Sequence, residues 1–166
     1  GKLRENGIPK LLPGINLIYG LIGETNGTYE TNYSYLKEIL DEGLMLRRIN
    51  IRKVMAFENT QLYDYYRDKE IKINEKLFKK YKEKVRTEID FEMLKRVFQA
   101  GEAVLREVIP EFVENGVTFG RQLGTYPILV GTKQNLELGK PVDMVVTERG
   151  FRSVTGVTLP FNINKE

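Results

Sequence analysis

Gly14-Ile15-Asn16-Leu17-Ile18-Tyr19-Gly20-Leu21-Ile22-Gly23-Glu24-Thr25 has the pattern of a buried β-strand, a glycine-marked turn and the acidic start of a helix. The near-continuous apolar run predicts a strand over 14–23 that is buried on both faces, as in a parallel sheet. Helical spacing of apolar and aromatic side chains predicts a helix over 29–42, and a second strand is expected over 47–57. Residues 14–57 are therefore predicted to form a βαβ unit.

The turn between the first strand and the helix is a candidate ligand site, because α/β proteins bind small molecules at the carboxyl ends of parallel strands. Gly20 and Gly23 would let a flat ligand approach the backbone, and Glu24 could accept hydrogen bonds from it. The alternative is that the glycines only shape the turn, while Glu24 favours the positive start of the helix. The motif alone leaves both readings open.

The second strand carries two polar residues, Asn50 and Arg52, on one face, while Ile49 and Ile51 lie on the other. Polar side chains that point inward need a ligand or each other as partners. Side chains that point to solvent need no such explanation. Asn50 and Arg52 are therefore candidates for a ligand pocket beside the glycine turn.

The rest of the chain divides into a helical part and a β-rich part. Helices are expected over 71–87 and 90–108. From residue 116 onward the apolar period changes, and short strands are expected over 117–122, 126–130, 141–147 and 151–159. Closely spaced short strands between Gly and Pro turns are typical of a small barrel or compact sheet.

Composition excludes several kinds of chemistry. The 166 residues include no Cys and no His, so they hold no thiolate metal site, no cysteine nucleophile and no histidine base. No apolar run is long enough to cross a bilayer, and a cytoplasmic location without membrane contact is expected. The net charge is +3, but lysines crowd into residues 69–86. Such a cluster can attract phosphate backbones, but the interspersed glutamates favour the alternative of a solvated helix face.

Two parts of the sequence resemble a known family. Residues 17–25 are similar to the strand of radical S-adenosylmethionine enzymes that ends in a glycine and an acid, most of all in the methylthiotransferase-like branch. The following family loop has a Pro-Gly-Thr signature, of which Glu58-Asn59-Thr60 keeps only the Thr. The C-terminal segments 118–121, 126–131, 138–139 and 151–156 resemble TRAM, the small RNA-binding β-barrel appended to that branch.

The resemblance implies an α/β part plus a small all-β module. The expected domains are a truncated partial (β/α) barrel segment over 1–60, a helical connector over 61–114, and a TRAM-like or OB-like barrel over 115–166. The parent enzyme would use S-adenosylmethionine and a 4Fe-4S cluster, with Gly20 and Glu24 near the bound cofactor and Asn50 and Arg52 as further candidates. Without the cluster cysteines, the chain is expected to be inactive alone and to hold no cofactor.

The barrel implies a different activity, the docking of RNA, with tRNA as the first candidate. Cations beside exposed aromatic rings are how small barrels bind single-stranded RNA. Four residues in or beside the predicted turns are the candidates: Arg121, Lys133, Arg149 and Arg152. Two alternatives stay open, a freestanding RNA-binding module and a protein-interaction module without catalysis. Self-association through exposed strand edges is a further expectation.

Overall fold

The structure is a computed structural model that describes residues 4–124 and 127–159. Contacts divide the chain into two compact units, Pro13–Asp90 and the combination of Gly1–Leu12 with Phe91–Glu166. The described elements, in chain order, are β1 (Arg4–Glu5), β2 (Ile8–Pro9), β3 (Gly14–Tyr19), α1 (Asn26–Asp41), β4 (Arg48–Lys53), α2 (Gln61–Tyr66), α3 (Glu75–Val85), a π-helical turn (Arg86–Asp90), α4 (Phe91–Val97), β5 (Val104–Glu114), β6 (Val117–Arg121), β7 (Leu129–Thr132), β8 (Val142–Arg149) and β9 (Ser153–Thr158).

The predicted βαβ unit is confirmed. Strands β3 and β4 pair in parallel from Gly14↔Arg48 to Tyr19↔Lys53, and α1 lies between them in the chain. Strand β3 ends at Tyr19 and not at residue 23, because Gly20 adopts a φ of 94° and the chain turns there. The expected second strand is likewise shorter than predicted, and it ends at Lys53.

One face of the β3–β4 sheet packs against α1. The Tyr19 ring stacks on Tyr29 of α1 with centroids 4.2 Å apart, and Asn32 of α1 donates a hydrogen bond of 3.2 Å to the Tyr19 hydroxyl. Ile49 and Ile51 lie on the same face of the sheet and are buried. Aromatic stacking and apolar burial thus hold the helix to the sheet.

The helix predicted over 90–108 is wrong in its second half. Helix α4 ends at Val97, and residues Val104–Glu114 form strand β5. Leu105 and Val108 are both buried although they are three residues apart, because a β-bulge shifts the register between them. A bulged strand therefore reproduced the apolar spacing of a helix.

The predicted small barrel is confirmed as a closed barrel of five strands in the order β5-β6-β7-β9-β8. All neighbouring strands pair antiparallel except β7 and β9, which run parallel. The barrel begins at Val104, before the expected module start at residue 115. Its buried apolar side chains include Leu105, Val108, Val130, Met144, Val146 and Val154. Residue 126, where a strand was expected to begin, lies outside the described residues.

The N-terminal residues 4–9 are part of the β structure. Strands β1 and β2 form a short antiparallel hairpin. The carbonyl of Asn6 in its turn accepts a 2.7 Å hydrogen bond from the N–H of Val104 at the start of β5. Gly7 follows with a φ of 73° and lies against the Glu102 backbone, where a Cβ atom would be 2.2 Å from the carbonyl oxygen. The hairpin is thus part of the barrel unit.

Gly20→Ala should destabilise the Pro13–Asp90 unit by about 2–4 kcal/mol, because it adds a clash to the cost of a positive φ. A Cβ atom at Gly20 would lie 2.9 Å from side-chain carbons of both Ile73 and Val54. Urea unfolding followed by circular dichroism measures the change.

Gly23→Ala is the matched control. Gly23 also has a positive φ, of 83°, but a Cβ there would meet nothing within 4 Å. Gly23→Ala should therefore cost only about 1–2 kcal/mol, the part due to φ. Equal losses in the two variants would show that packing against Ile73 and Val54 contributes nothing.

Candidate functional site

The turn after β3 is held by hydrogen bonds from within the protein. The N–H of Gly20 donates to Oε2 of Glu24 at 2.6 Å, and the carbonyl of Gly20 accepts from the Tyr66 hydroxyl at 3.1 Å. Both backbone groups of Gly20 are therefore occupied, and the Glu24 carboxylate closes its own turn. The role of Gly20 and Glu24 in binding a cofactor stays a prediction. Because Oε2 of Glu24 already accepts from Gly20, Glu24 would bind a cofactor through the remaining lone pairs of its carboxylate.

A cavity of about 520 Å³ lies beside this turn, at the carboxyl end of β3 and the start of α1. Residues 21–26 form part of its wall, and the remaining lining comes from Tyr29, from the C-terminal end of α2 and from the following loop. All lining residues belong to the Pro13–Asp90 unit. The predicted location of a ligand site therefore coincides with a real cavity, although Glu24 is the only one of the four predicted cofactor residues that lines it.

The hydroxyl of Tyr29 is a buried polar group at this cavity. Tyr29 is 1% exposed, and its buried hydroxyl interacts with the Glu24 carboxylate. Burial and the negative charge of the nearby Glu24 carboxylate raise the pKa of Tyr29, so the hydroxyl stays a donor. Sequence reasoning missed Tyr29 because its spacing on α1 marked it as a core residue.

Asn50 and Arg52 lie on the opposite face of the β3–β4 sheet from α1. The Asn50 amide donates a 2.8 Å hydrogen bond to Oδ1 of Asn16, its register partner on β3. Arg52 is exposed and makes no ion pair with any residue in 4–124 or 127–159. Asn50 and Arg52 do not line the cavity. The four predicted cofactor residues thus fall into two groups on two sides of the sheet.

The barrel register gathers three of the four predicted RNA-binding residues. Gly120 pairs with Val130, Leu129 with Ser153, and Arg149 with Val154, so the end of β6, the starts of β7 and β9 and the end of β8 meet at one end of the barrel. Arg121, Arg149 and the Arg152 turn therefore share this end, which we call the arginine end. Lys133 follows Thr132, whose partner Thr118 begins β6, so Lys133 lies at the other end.

The three arginines differ in how strongly the protein engages them. Arg121 forms an ion pair with Glu111, and Arg149 donates a 3.4 Å hydrogen bond to the carbonyl of Phe98. Arg152 is exposed, and no ion pair or hydrogen bond involves it within the described part of the chain. Phe151 beside it is 56% exposed, with its ring 5.0 Å from that of Phe91. The arginine end thus offers a cation that the described residues leave unpaired, next to an accessible aromatic ring.

Two features are absent from the described residues. No helix among them is long and apolar enough to cross a membrane. Within the same ranges, 4–124 and 127–159, no group of three or more acidic, His or Cys side chains is placed to hold a metal ion.

No protein-family model matches the chain. The chain is 50% identical over 159 residues to an uncharacterized protein of Methanocaldococcus jannaschii, an alignment that covers 94% of this chain and 29% of that protein. It is 41% identical over 160 residues to an uncharacterized protein of Archaeoglobus fulgidus, covering 96% of this chain and 30% of the relative. The chain thus spans about three tenths of the length of these curated relatives.

Proposed function

We propose that this chain is the RNA-docking C-terminal portion of a longer radical S-adenosylmethionine enzyme that modifies RNA, with tRNA as the first candidate substrate. The observation that carries the proposal is the arginine end of the barrel. Three cations that are distant in sequence meet there because of the strand register. The resemblance of the same strands to TRAM supports the proposal independently of that geometry.

The arginine end has the chemistry that single-stranded RNA requires. Arginine binds phosphate with two parallel hydrogen bonds, and exposed bases stack on aromatic rings. Arg152 supplies a guanidinium that has no ion pair among residues 4–124 and 127–159, and Phe151 next to it supplies an accessible ring. Arg121 would exchange its ion pair with Glu111 for a phosphate contact. A small closed barrel is also a rigid base for such side chains.

The cofactor part of the proposal places S-adenosylmethionine against the β3–β4 sheet. The residues that would hold it are Asn50 and Arg52, which lie on the exposed face of the sheet, while Glu24, whose carboxylate lines the cavity, would contact it only around the carboxyl edge of the sheet. These residues fit the group in chemical terms, because carboxylate, amide and guanidinium match its ammonium, hydroxyl and carboxylate groups. Bound there, the cofactor would supply the deoxyadenosyl radical of the family, and this chain would supply orientation.

The 4Fe-4S cluster does not fit this chain. Iron–sulfur clusters are held by cysteine thiolates, and the 166 residues contain none. In the proposal, the cluster ligands therefore belong to another part of the enzyme, and cytoplasmic RNA is the substrate that this portion presents to it.

The first prediction concerns RNA binding. Replacing Arg121 and Arg152 together by Gln should weaken the binding of bulk tRNA and lower the salt dependence of the association constant. On single-stranded RNA, loss of two phosphate contacts should reduce the slope of log K against log salt by about 1.4. Fluorescence anisotropy at several salt concentrations measures both quantities.

The control removes the same charge from the other end of the barrel. Lys133 and Lys140 are exposed, and Lys140 forms an exposed ion pair with Glu137, so the Lys133→Gln/Lys140→Gln variant matches the arginine variant in net charge. It should change the slope much less. Equal effects of the two double variants would mean that tRNA binds through net charge alone. That result would remove the case for the arginine end.

The second prediction concerns the cofactor. In the full-length protein that carries these residues, Arg52→Gln should weaken S-adenosylmethionine binding roughly tenfold, the value of one hydrogen bond to a charged group. Equilibrium dialysis measures the affinity, and urea unfolding should show unchanged stability because Arg52 is exposed. Arg67→Gln, another exposed arginine off the sheet, is the control. Unchanged affinity in the Arg52 variant would contradict the assignment of this face.

A protein-interaction function is the second candidate, and exposed apolar side chains near the β3–β4 sheet favour it. Ile18 is 48% exposed, Met55 69% and Phe57 65%, and in the described residues each of the two strands has only one partner. Unpaired edges and exposed apolar surface promote association.

If copies of the chain associate through this surface, Phe57→Lys should raise the monomer fraction in light scattering over a dilution series. Leu123→Lys, which changes an 88% exposed side chain of the barrel unit, should have no effect. A wild-type chain that stays monomeric throughout would contradict this candidate.

A further inference from the structure

We propose that the outer face of α3 binds the phosphate backbone of an RNA stem. Three exposed lysines of this helix form the surface, Lys76, Lys79 and Lys80, which we call the lysine face. The inference goes beyond the barrel, since α3 belongs to the Pro13–Asp90 unit and the arginine end is assigned to single strands. Only the choice of RNA over DNA rests on the proposed function.

The lysine face lies on the side of α3 that points away from the core of its unit. Phe78, Tyr81 and Val85 are buried and mark the packed side of the helix. Residues 76, 79 and 80 follow the spacing i, i+3 and i+4, so their Cβ atoms are neighbours about 5–6 Å apart. With about 3.6 residues per turn, they lie roughly opposite the buried side.

The glutamates interspersed among these lysines do not neutralise them. Glu75 is paired with Lys53 of β4 at 2.5 Å. Glu83 continues the outer face at i+7, and in the described part of the chain no ion pair joins it to the lysine face. Residues 69–86 hold eight Lys and Arg against three Glu, whereas the whole chain has a net charge of +3. Positive charge is therefore concentrated here and is not balanced by local pairing.

The other two lysines of α3 are explained by the helix, whereas the lysine face is not. Lys82 and Lys84 lie in the last turn, where the helix dipole favours cations. Lys76 lies in the first turn, where a cation is unfavourable, and like charges three and four residues apart destabilise a helix. Lys80 is exposed and 5.8 Å from the ring centroid of Tyr81. A bound polyanion would relieve the repulsion among these lysines.

The chemistry of the lysine face favours a duplex backbone over other polyanions. Lysine is a point charge on a flexible stem, so it binds phosphates without a fixed geometry. The aromatic rings of α3 in the described structure, Phe78 and Tyr81, are both buried, so the helix offers no ring to an unstacked base. The face therefore suits a backbone whose bases are paired inward. An interfacial membrane helix would need its apolar face for lipid, and α3 uses that face within its own unit.

The experiment titrates the chain with a short RNA duplex and with an oligouridylate of equal length, using fluorescence anisotropy at several salt concentrations. Replacing Lys76, Lys79 and Lys80 together by Gln removes three phosphate contacts. On the duplex, the slope of log K against log salt should fall by about 2.7, at about 0.9 for each contact. Affinity for oligouridylate should change far less. Gln has a helix propensity similar to that of Lys, so circular dichroism should show the wild-type fold.

The matched control removes the same charge from scattered positions. Lys10, Lys37 and Lys140 each pair with a carboxylate elsewhere on the surface. Their joint replacement by Gln should change the duplex slope by less than the share of one contact, about 0.9. Equal losses in the two triple variants would overturn the proposal, because binding would then follow net charge alone. Wild-type binding that is absent on the duplex at low salt, or tighter on polyglutamate or anionic vesicles, would overturn it as well.

The Arg121→Gln/Arg152→Gln variant separates this proposal from the function proposed above. It should lose affinity for oligouridylate and keep the duplex, whereas the lysine variant should do the reverse. Loss of the duplex only in the lysine variant, with no oligouridylate binding by the wild type, would refute the arginine end alone. Unchanged duplex binding by the lysine variant would refute the lysine face alone. Tighter binding of a DNA duplex with the same sequence would overturn the choice of RNA.

Discussion

The α/β unit depends on the turn at Gly20, where three chain segments meet through one residue. The N–H of Gly20 binds Glu24 and its carbonyl binds Tyr66, so the end of β3, the start of α1 and the end of α2 are fixed together. Only a residue without Cβ fits, because φ is 94° and Ile73 and Val54 close the remaining space. The Gly20 turn thus joins chain segments that line the cavity.

The packing of α1 on one face of the sheet explains why the candidate cofactor residues lie apart. Side chains alternate between the two faces of a strand, and the stacking of Tyr19 on Tyr29 commits one face to α1. Asn50 and Arg52 must then lie on the other face, whereas Glu24 lies beyond the strand and remains at the cavity. A ligand that touched all of them would have to reach around the carboxyl edge of the sheet. A ligand in the cavity and a ligand on the open face of the sheet would therefore contact different residues.

Sequence patterns predicted local structure well and the arrangement of side chains less well. The apolar run at 14–19 and the spacing of Tyr29, Leu36 and Ile39 are local signals, and both elements formed as expected. Strand β5 was mistaken for a helix because its bulge lets Leu105 and Val108, three residues apart, both face the core. Only the pairing with β8 distinguishes such a bulged strand from a helix. The cavity could not be predicted, since residues 65–74 are brought to it by tertiary contacts such as the hydrogen bonds of Tyr66 to Gly20 and of Asn74 to Asn26.

The barrel shows why register carries more functional information than composition. Its cations looked equivalent in sequence, each in or beside a predicted turn between short strands. Closure of the sheet through the parallel β7–β9 pair brings the β8–β9 turn next to the start of β7, and so brings Arg152 to the end where Arg121 finishes β6. The same closure sends Lys133 to the opposite end. Without that pair the sheet would be open, and the β8–β9 turn that carries Arg152 would not lie beside the start of β7 and the end of β6. Closure therefore brings Arg152 to the region where Arg121 lies.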